Sequence, residues 1–265
     1  MVVKTGVFPL IRLALLVPEI DPIVRIFGVG TAFLGVFYAL FEKDSKRMLA
    51  FSTISQLGFI LAAPAVGGFY ALSHGLVKST LFLCAGTLPS RNFQELRHQS
   101  IALPLRIVLL MASFSISGVP LFAGFGAKIL TLKELLPWQE IAMNVDSVGT
   151  AIYFGKFIFL PLDSGDLKSN RESGGKEIPR TFWLATIVLI GGLILANGLD
   201  IKAYTVANIA KSLITIAIGW SVYFAIFQRL FFKLPRVIEE LEHLIGVMSL
   251  VLIGLFLMVL SIVMP

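Results

Sequence analysis

The stretch ALPLRIVLLMASFSISGVPLFAGFGAKILTLKELL, Ala102–Leu136, is almost wholly apolar. It is also too long for one straight membrane helix, which needs about 20 apolar residues. Gly118, Pro120 and Gly124 interrupt its middle, and Lys128 follows the interruption. Proline removes a backbone donor, and glycine admits non-helical backbone. The stretch therefore reads as one membrane helix broken in its interior. Such a break is tolerated at bilayer depth only where protein or a water-filled cavity surrounds it. An ammonium group there costs at least about 2.5–3.5 kcal/mol on insertion scales, which makes Lys128 a candidate for moving protons or cations.

The rest of the chain has the same character. Of its 265 residues 57% are hydrophobic and only 14% charged, with a mean hydropathy of +0.88. A soluble domain of this size would need far more charge on its surface. The excess of Phe (22) over Tyr (5) and Trp (3) suits a lipid-facing surface. The single cysteine, Cys84, excludes a disulfide framework and any Cys-based iron–sulfur or zinc site. No signal peptide is expected, because Met1 opens directly into apolar sequence without a basic flank or a small-residue cleavage site.

Candidate spans run approximately over 1–17, 23–42, 48–66, 68–88, 102–136, 142–162, 181–198, 207–228 and 244–264. The fold class is thus an all-α polytopic membrane protein with about nine transmembrane helices, one of them discontinuous. One set of loops carries Lys43, Lys46, Arg47, Arg91, Arg97, Lys168, Arg171, Lys176, Arg180, Arg229, Lys233 and Arg236, against little more than Arg25 and Lys202 opposite. By the positive-inside rule the basic face and the N-terminus are cytoplasmic or its equivalent. The net charge of +6 and the pI of about 9.5 follow from these loops. Nucleic acid is not the expected partner, since the charge is spread out and no recognition motif accompanies it. The chain divides into a core over 1–162, a polar loop over 163–180, and C-terminal helices over 181–265. Residues 229–243 (RLFFKLPRVIEELEH) mix basic and apolar side chains, and read either as an interfacial segment or as a solvated linker.

Further charges lie inside the spans. His74 and Lys78 are spaced i,i+4 and share one helix face. A neutral histidine can pass a proton on, and a buried lysine can give one up; the alternative is a structural hydrogen-bonded pair. Lys4 is a further candidate, or a side chain that snorkels to the interface. Lys128 has the alternative of an interfacial lysine. Lys156 and Lys211, nearer span ends, read as snorkelling residues, and Asp146 reads as a helix cap. No cofactor, metal, redox or hydrolytic site is expected. Gly28-x-Gly30 is followed by Phe33 where a dinucleotide loop needs glycine.

Four stretches carry a family resemblance: LFEKDSKRMLAFSTISQLGFI (Leu40–Ile60), SHGLVKSTLFLCAG (Ser73–Gly86), SISGVPLFAGFGAKILTLKE (Ser115–Glu134) and VVKTGVFPLIRL (Val2–Leu13). In order and spacing they resemble the antiporter-like membrane subunits shared by complex I (NADH-quinone oxidoreductase, chain 4-like) and Mrp-type cation/proton antiporters. The resemblance implies the C-terminal half of such a subunit, from its eighth helix on, with one five-helix antiporter-like repeat. It places Lys4 on the lysine of the eighth helix that links two half-channels. His74 and Lys78 fall on the eleventh helix, and Lys128 on the terminal exchange site of the broken twelfth. A lysine at that last position fits several complex I branches and many Mrp-type subunits. The first half-channel is then missing, which implies a partner chain supplying the N-terminal half, or a truncated product. The last two spans exceed the common helix count.

Three functions stay open on this basis. The chain could be an ion-translocating subunit moving protons, or sodium against protons, through Lys4, His74, Lys78 and Lys128. It could instead contribute to coupled electron transport as a subunit of an NAD(P)H- or ferredoxin-quinone oxidoreductase, or be a truncated, non-conducting structural subunit. Other membrane subunits and the lipid bilayer are its expected partners. A bacterial plasma membrane or a thylakoid membrane is its expected location.

Overall fold

The computed structural model describes residues 3–99, 101–161, 180–198, 203–228, 253–254 and 257–258. The helices α1 (Val3–Leu16), α2 (Asp21–Phe41), α3 (Ser45–Ala62) and α4 (Gly67–Thr87) come first. A short turn of helix, α5 (Phe93–Leu96), precedes α6 (Leu103–Ser117) and α7 (Ala123–Lys133). The helices α8 (Pro137–Ile158), α9 (Arg180–Gly198) and α10 (Val206–Val222) complete the bundle, α10 running on into a π-helical turn, Tyr223–Phe227. Among the described residues the structure is all-α, with one isolated bridge joining Asp44 and Asn92. The segments 163–179, 229–243 and most of 244–264 lie outside the described residues.

Local sequence sets the helix ends. The Asp44 carboxylate accepts the backbone N–H groups of Lys46 (2.7 Å) and Arg47 (3.0 Å), starting α3. Pro22 and Pro137 stand in the first turns of α2 and α8, where a missing N–H costs nothing. The Gln139 side chain accepts the Leu136 N–H at 3.1 Å. Thr205 caps α10 by accepting the Asn208 N–H at 3.3 Å.

The break expected inside 102–136 is present. Helix α6 stops at Ser117, Gly118 takes a left-handed conformation (φ 86°), and helix resumes at Ala123. Leu121 also has positive φ (79°), a strained position for a residue with a branched side chain. The two halves touch backbone to backbone at Gly124, where a Cβ would stand 1.8 Å from the Ser115 carbonyl oxygen.

Glycines let α2 and α3 pack almost as closely. A Cβ on Gly35 would lie 2.2 Å from the Ser55 nitrogen, and one on Gly58 would lie 2.4 Å from the Ala32 nitrogen. Small residues at such contacts are the usual means of joining helices where lipid removes the hydrophobic drive between them. Both helices then belong to one core with α4, α6 and α8 around Leu49, Leu81, Leu109 and Phe157.

Among the described residues two helices, Asp21–Phe41 and the run Val206–Phe227, are by themselves long and apolar enough to cross a membrane. The other described helices, α5 apart, overlap expected spans without passing that test. Helices α6 and α7 are each shortened by the break, whereas α3, α4 and α8 turn polar side chains towards one another: Ser52, Ser55, Gln56, His74, Lys78, Asp146 and Thr150 are all buried. Asp146 is not a helix cap. It stands in the middle of α8, 1% exposed. Lys156 does not snorkel either: its Nζ donates to the carbonyls of Ala39 (3.1 Å), Leu40 (2.6 Å) and Glu42 (2.8 Å), closing the C-terminal end of α2.

The glycine contacts generate a direct test. Gly58→Ala forces a methyl into backbone that cannot swing aside, whereas Gly30→Ala meets nothing within 4 Å. Thermal unfolding in detergent is expected to show Gly58→Ala destabilised by more than about 2 kcal/mol and Gly30→Ala unchanged or slightly stabilised.

Candidate functional site

On α3, Ser52, Ser55 and Gln56 are spaced three and four residues apart and so line one face. Helix α4 brings His74 and Lys78 against that face, and α8 brings Asp146, Thr150 and Tyr153 from the other side. Lys78 is 5% exposed. Its Nζ donates to the Leu49 carbonyl at 3.1 Å and to the Ser52 hydroxyl, and lies 5.4 Å from the centre of the Phe154 ring.

One turn along α4, His74 is 4% exposed, with its ring 6.4 Å from that of Tyr70. A cavity of about 10 Å³ touches His74, Tyr70, Ser73, Gln56 and Gly124. That volume accommodates about one water molecule, and it joins α4 to the resumed end of the broken helix.

From here a file of side-chain hydrogen bonds runs across the bundle. The Tyr70 hydroxyl donates to Gln56 Oε1. Gln56 Nε2 donates to the Ser55 hydroxyl (3.5 Å) and the Thr150 hydroxyl (3.4 Å). Ser55 in turn donates to Asp146 Oδ2 at 3.3 Å, and the Tyr153 hydroxyl donates to that of Thr150 at 3.4 Å. Oδ1 of Asp146 is buried without a hydrogen-bond partner among the described residues.

Lys128 lies beyond Asp146, 6% exposed, on α7. Its Nζ donates to the Ser117 carbonyl at 3.4 Å, the last residue of α6, and sits 5.7 Å from the centre of the Phe59 ring. Lys128 and Asp146 are close enough for their charges to interact but make no salt bridge. The structure thus buries His74 and Lys78 one turn apart on α4 and puts Lys128 close to Asp146 at one end of the polar file. Lys4 falls within α1, but its side chain is outside the described residues.

Three residues of this polar interior escape sequence reasoning. Asp146 reads as an end effect because the sequence suggests a start at 142 rather than at Pro137, and Lys156 because it does stand in the last turn of α8, where its inward contacts to α2 have no local signal. Arg106 sits alone in LPLRIVLL with no spacing partner, and a lone arginine in an apolar run is the signal that could have found it. It is 2% exposed, and its guanidinium donates to the carbonyls of Phe157 (2.5 Å), Ile158 (2.7 Å) and Leu160 (2.6 Å).

An all-α bundle that buries two lysines, a histidine and an aspartate around a file of hydrogen-bonded hydroxyl and amide side chains, its outer faces apolar, defines an integral membrane protein built around a polar interior. The chain belongs to the NADH:quinone oxidoreductase/Mrp antiporter transmembrane family, whose profile matches residues 1–153. It is 32% identical over 63% of its length to the NAD(P)H-quinone oxidoreductase subunit 5 of the organellar chromatophore of Paulinella chromatophora, covering 29% of that protein. To the NAD(P)H-quinone oxidoreductase chain 5 of Synechocystis it is 30% identical, over 64% of this chain and 29% of the relative. The NADH-ubiquinone oxidoreductase chain 5 of Aedes aegypti is 28% identical over 73% of this chain and 37% of the relative. The chain therefore spans about a third of the length of the curated relatives it matches. Where the motifs resembled a chain 4-like subunit, these relatives are named subunit or chain 5.

Arg106 offers a stability test. Arg106→Met takes the guanidinium from three buried carbonyls, of which only that of Phe157 keeps backbone donors, and should lower stability by about 3 kcal/mol. Lys211→Met, by contrast, removes only a 3.8 Å ion pair to Glu140 between largely exposed side chains, and should leave the melt unchanged. Thermal unfolding of the two variants in one detergent makes the comparison.

Proposed function

We propose that this chain is the ion-translocating C-terminal part of an antiporter-like subunit in a complex I-like or Mrp-type assembly. Protons move through it by way of Lys78, His74 and Lys128. The observation that carries the reading is the buried file from Tyr70 through Gln56 and Ser55 to Asp146, with Lys78 bonded to Ser52 one turn away on the same face of α3 and Lys128 close to Asp146. Hydroxyl and amide groups both donate and accept, so such a file can hand a proton along and then reset. A buried lysine is costly when charged, and a neighbouring charge decides when it holds its proton. Asp146 supplies such a charge for Lys128.

The wider arrangement belongs to the same proposal. About nine helices span the bilayer, with a five-helix repeat within 1–162, the polar loop 163–180 and an interfacial segment 229–243 on the basic, cytoplasmic face. Lys4 connects this half to the remaining helices of such a subunit, and neighbouring membrane subunits supply the driving reaction. The names of the relatives favour a quinone oxidoreductase as that assembly, in a bacterial plasma membrane or a thylakoid membrane.

The test is ion transport in vesicles holding the whole complex. Lys128→Ala is expected to abolish most transport while native gels show normal assembly, since a neutral residue inserts more easily than lysine. Asp146→Asn keeps the shape of the site but removes the charge, and is expected to lower transport as well. Unchanged transport in Lys128→Ala would overturn the reading. Unchanged transport in Asp146→Asn would remove Asp146 from the path.

A further inference from the structure

Gln56 stands where the polar file passes between helices. It is 1% exposed on α3, and its amide meets α4 at one end and α8 at the other. Oε1 accepts from the Tyr70 hydroxyl of α4. Nε2 donates to two hydroxyls, that of Ser55 at 3.5 Å and that of Thr150 on α8 at 3.4 Å. An amide nitrogen carries two N–H donors and an amide oxygen two lone pairs. Either end of this amide can therefore serve the pair of hydroxyls, leaving the other end for the phenol.

Asp146 sets the direction of these bonds. An ionised carboxylate can only accept. Ser55 must then donate to it, as it does at 3.3 Å, and has only lone pairs left for Gln56. The amide end that faces Ser55 must be the nitrogen, so the oxygen faces Tyr70, and Tyr70 must donate. One charge thus fixes the sense of every bond from Asp146 to Tyr70. Among the described residues Ser55 is the only side-chain donor to Asp146, whose Oδ1 has none. No second bond holds that sense once the charge is gone.

A protonated carboxyl is a donor. Ser55 then accepts from Asp146 and turns its own hydrogen towards Gln56. Thr150 can turn in the same way. Its hydroxyl donates to the Asp146 carbonyl at 3.2 Å, but that carbonyl lies within α8 and keeps its helical bond. Both hydroxyls are satisfied when the Gln56 oxygen faces them. A half-turn of the last side-chain torsion, which is roughly two-fold, brings it there. Nε2 then donates to Tyr70, and the Tyr70 hydrogen must point elsewhere. Tyr70 also lines the cavity of about 10 Å³ beside Ser73 and His74, which has room for about one water molecule.

Packing confines the change to hydrogens and one amide. The Tyr70 ring is stacked on Phe59, with centroids 5.5 Å apart and planes 3° from parallel. Helix α3 is locked on α2 by the backbone contacts at Gly35 and Gly58. The titratable groups whose charges reach Asp146 are Lys128 of α7, Tyr70 of α4 and Tyr153 of α8. Helix α3 faces it with neutral groups, Ser55 and Gln56. Lys128 is the cation among these neighbours, so its charge biases where the Asp146 proton rests.

We propose that Gln56 is a two-way switch, whose amide orientation follows the proton on Asp146 and turns the Tyr70 hydroxyl either into the file or towards His74. The switch deepens the function proposed above and rests on it for its purpose. With Asp146 ionised, every bond runs from Tyr70 towards Asp146. With Asp146 neutral the sense reverses, and the Tyr70 hydrogen faces the cavity shared with His74. Proton uptake on α8 is thereby reported on α4 while all helices stay in place. Gln56 is a positioning residue in this scheme.

Infrared difference spectra of the assembled complex in vesicles, taken between alkaline and acid pH, test the switch. The Asp146 carboxyl band is assigned by its loss in Asp146→Asn, and the Tyr70 C–O band by its loss in Tyr70→Phe. On acidification the Tyr70 band is expected to shift in step with the appearance of the Asp146 carboxyl band. Asp146→Asn should abolish that shift. Gln56→Met should abolish it too, while Asp146 still takes up its proton. A Gln56 that only fills space would leave the coupling intact in Gln56→Met, whose side chain is of similar length.

A Tyr70 shift that persists in Gln56→Met would overturn the switch, because the charge would then act on Tyr70 directly. So would a Tyr70 band indifferent to Asp146, or an Asp146 that takes up no proton wherever the complex stays assembled. Should Gln56→Met fail to assemble, wild type and Asp146→Asn still decide, since a shift retained in Asp146→Asn sinks the idea. Transport in Lys128→Ala reads the function separately. Transport lost there with a fixed Tyr70 band in wild type keeps the function and removes the switch; transport intact with a coupled Tyr70 band does the reverse.

Discussion

Hydrocarbon offers no partner to a backbone carbonyl, and every helix that ends inside this bundle leaves carbonyls to be satisfied by protein. The break between α6 and α7 is the sharpest case. The Ser117 oxygen takes the Lys128 ammonium, the Gly118 oxygen takes the Ser212 hydroxyl, and the Leu121 oxygen takes the Asn197 amide at 3.0 Å. Three different helices thus converge on five residues of chain. Without these donors the break would be an unmet cost of several kcal/mol in lipid. With them it becomes the point where α7, α9 and α10 are held to α6.

The same solution recurs at the other helix ends, and it explains why so many cations are buried without carboxylates. Arg106 meets the end of α8, Lys156 the end of α2, and Arg97 the Gln228 carbonyl after α10. Arg25, which does have a carboxylate partner in Asp21 at 2.7 Å, joins two, donating to the Ala62 carbonyl at the end of α3 (3.2 Å) and the Glu134 carbonyl after α7 (3.1 Å). A helix C-terminus carries partial negative charge, so a cation there gains both hydrogen bonds and the field of the helix. Such residues lock helix to helix. Lys128 differs from them because its cap belongs to a broken helix and its other side lines a cavity of about 190 Å³.

This distinction governs what could be read from the chain alone. The broken helix was legible because glycine, proline and lysine fall close together within one apolar run, and the His74–Lys78 pair because i,i+4 spacing fixes a shared face. Arg106, Lys156 and Asp146 were not legible, since what each touches lies some 50, 115 and 90 residues away and depends on helix register that no local pattern encodes.

Lys128 and Asp146 make no salt bridge, and that separation matters more than the presence of either charge. A direct buried pair is held by strong attraction once both ions have lost their water, and moving a proton through it means first pulling it apart. Here Asp146 is engaged by Ser55 at 3.3 Å, a neutral hydroxyl that can equally accept, while Lys128 rests on a carbonyl at 3.4 Å. Neither contact is tight. The two charges feel each other across a gap, so a change at one shifts the other without a bond having to break between them. The carbonyl at Ser117 sets that gap by holding the ammonium at the end of α6. The break that had to be satisfied for the helix to exist in lipid is therefore also what keeps the lysine apart from the aspartate.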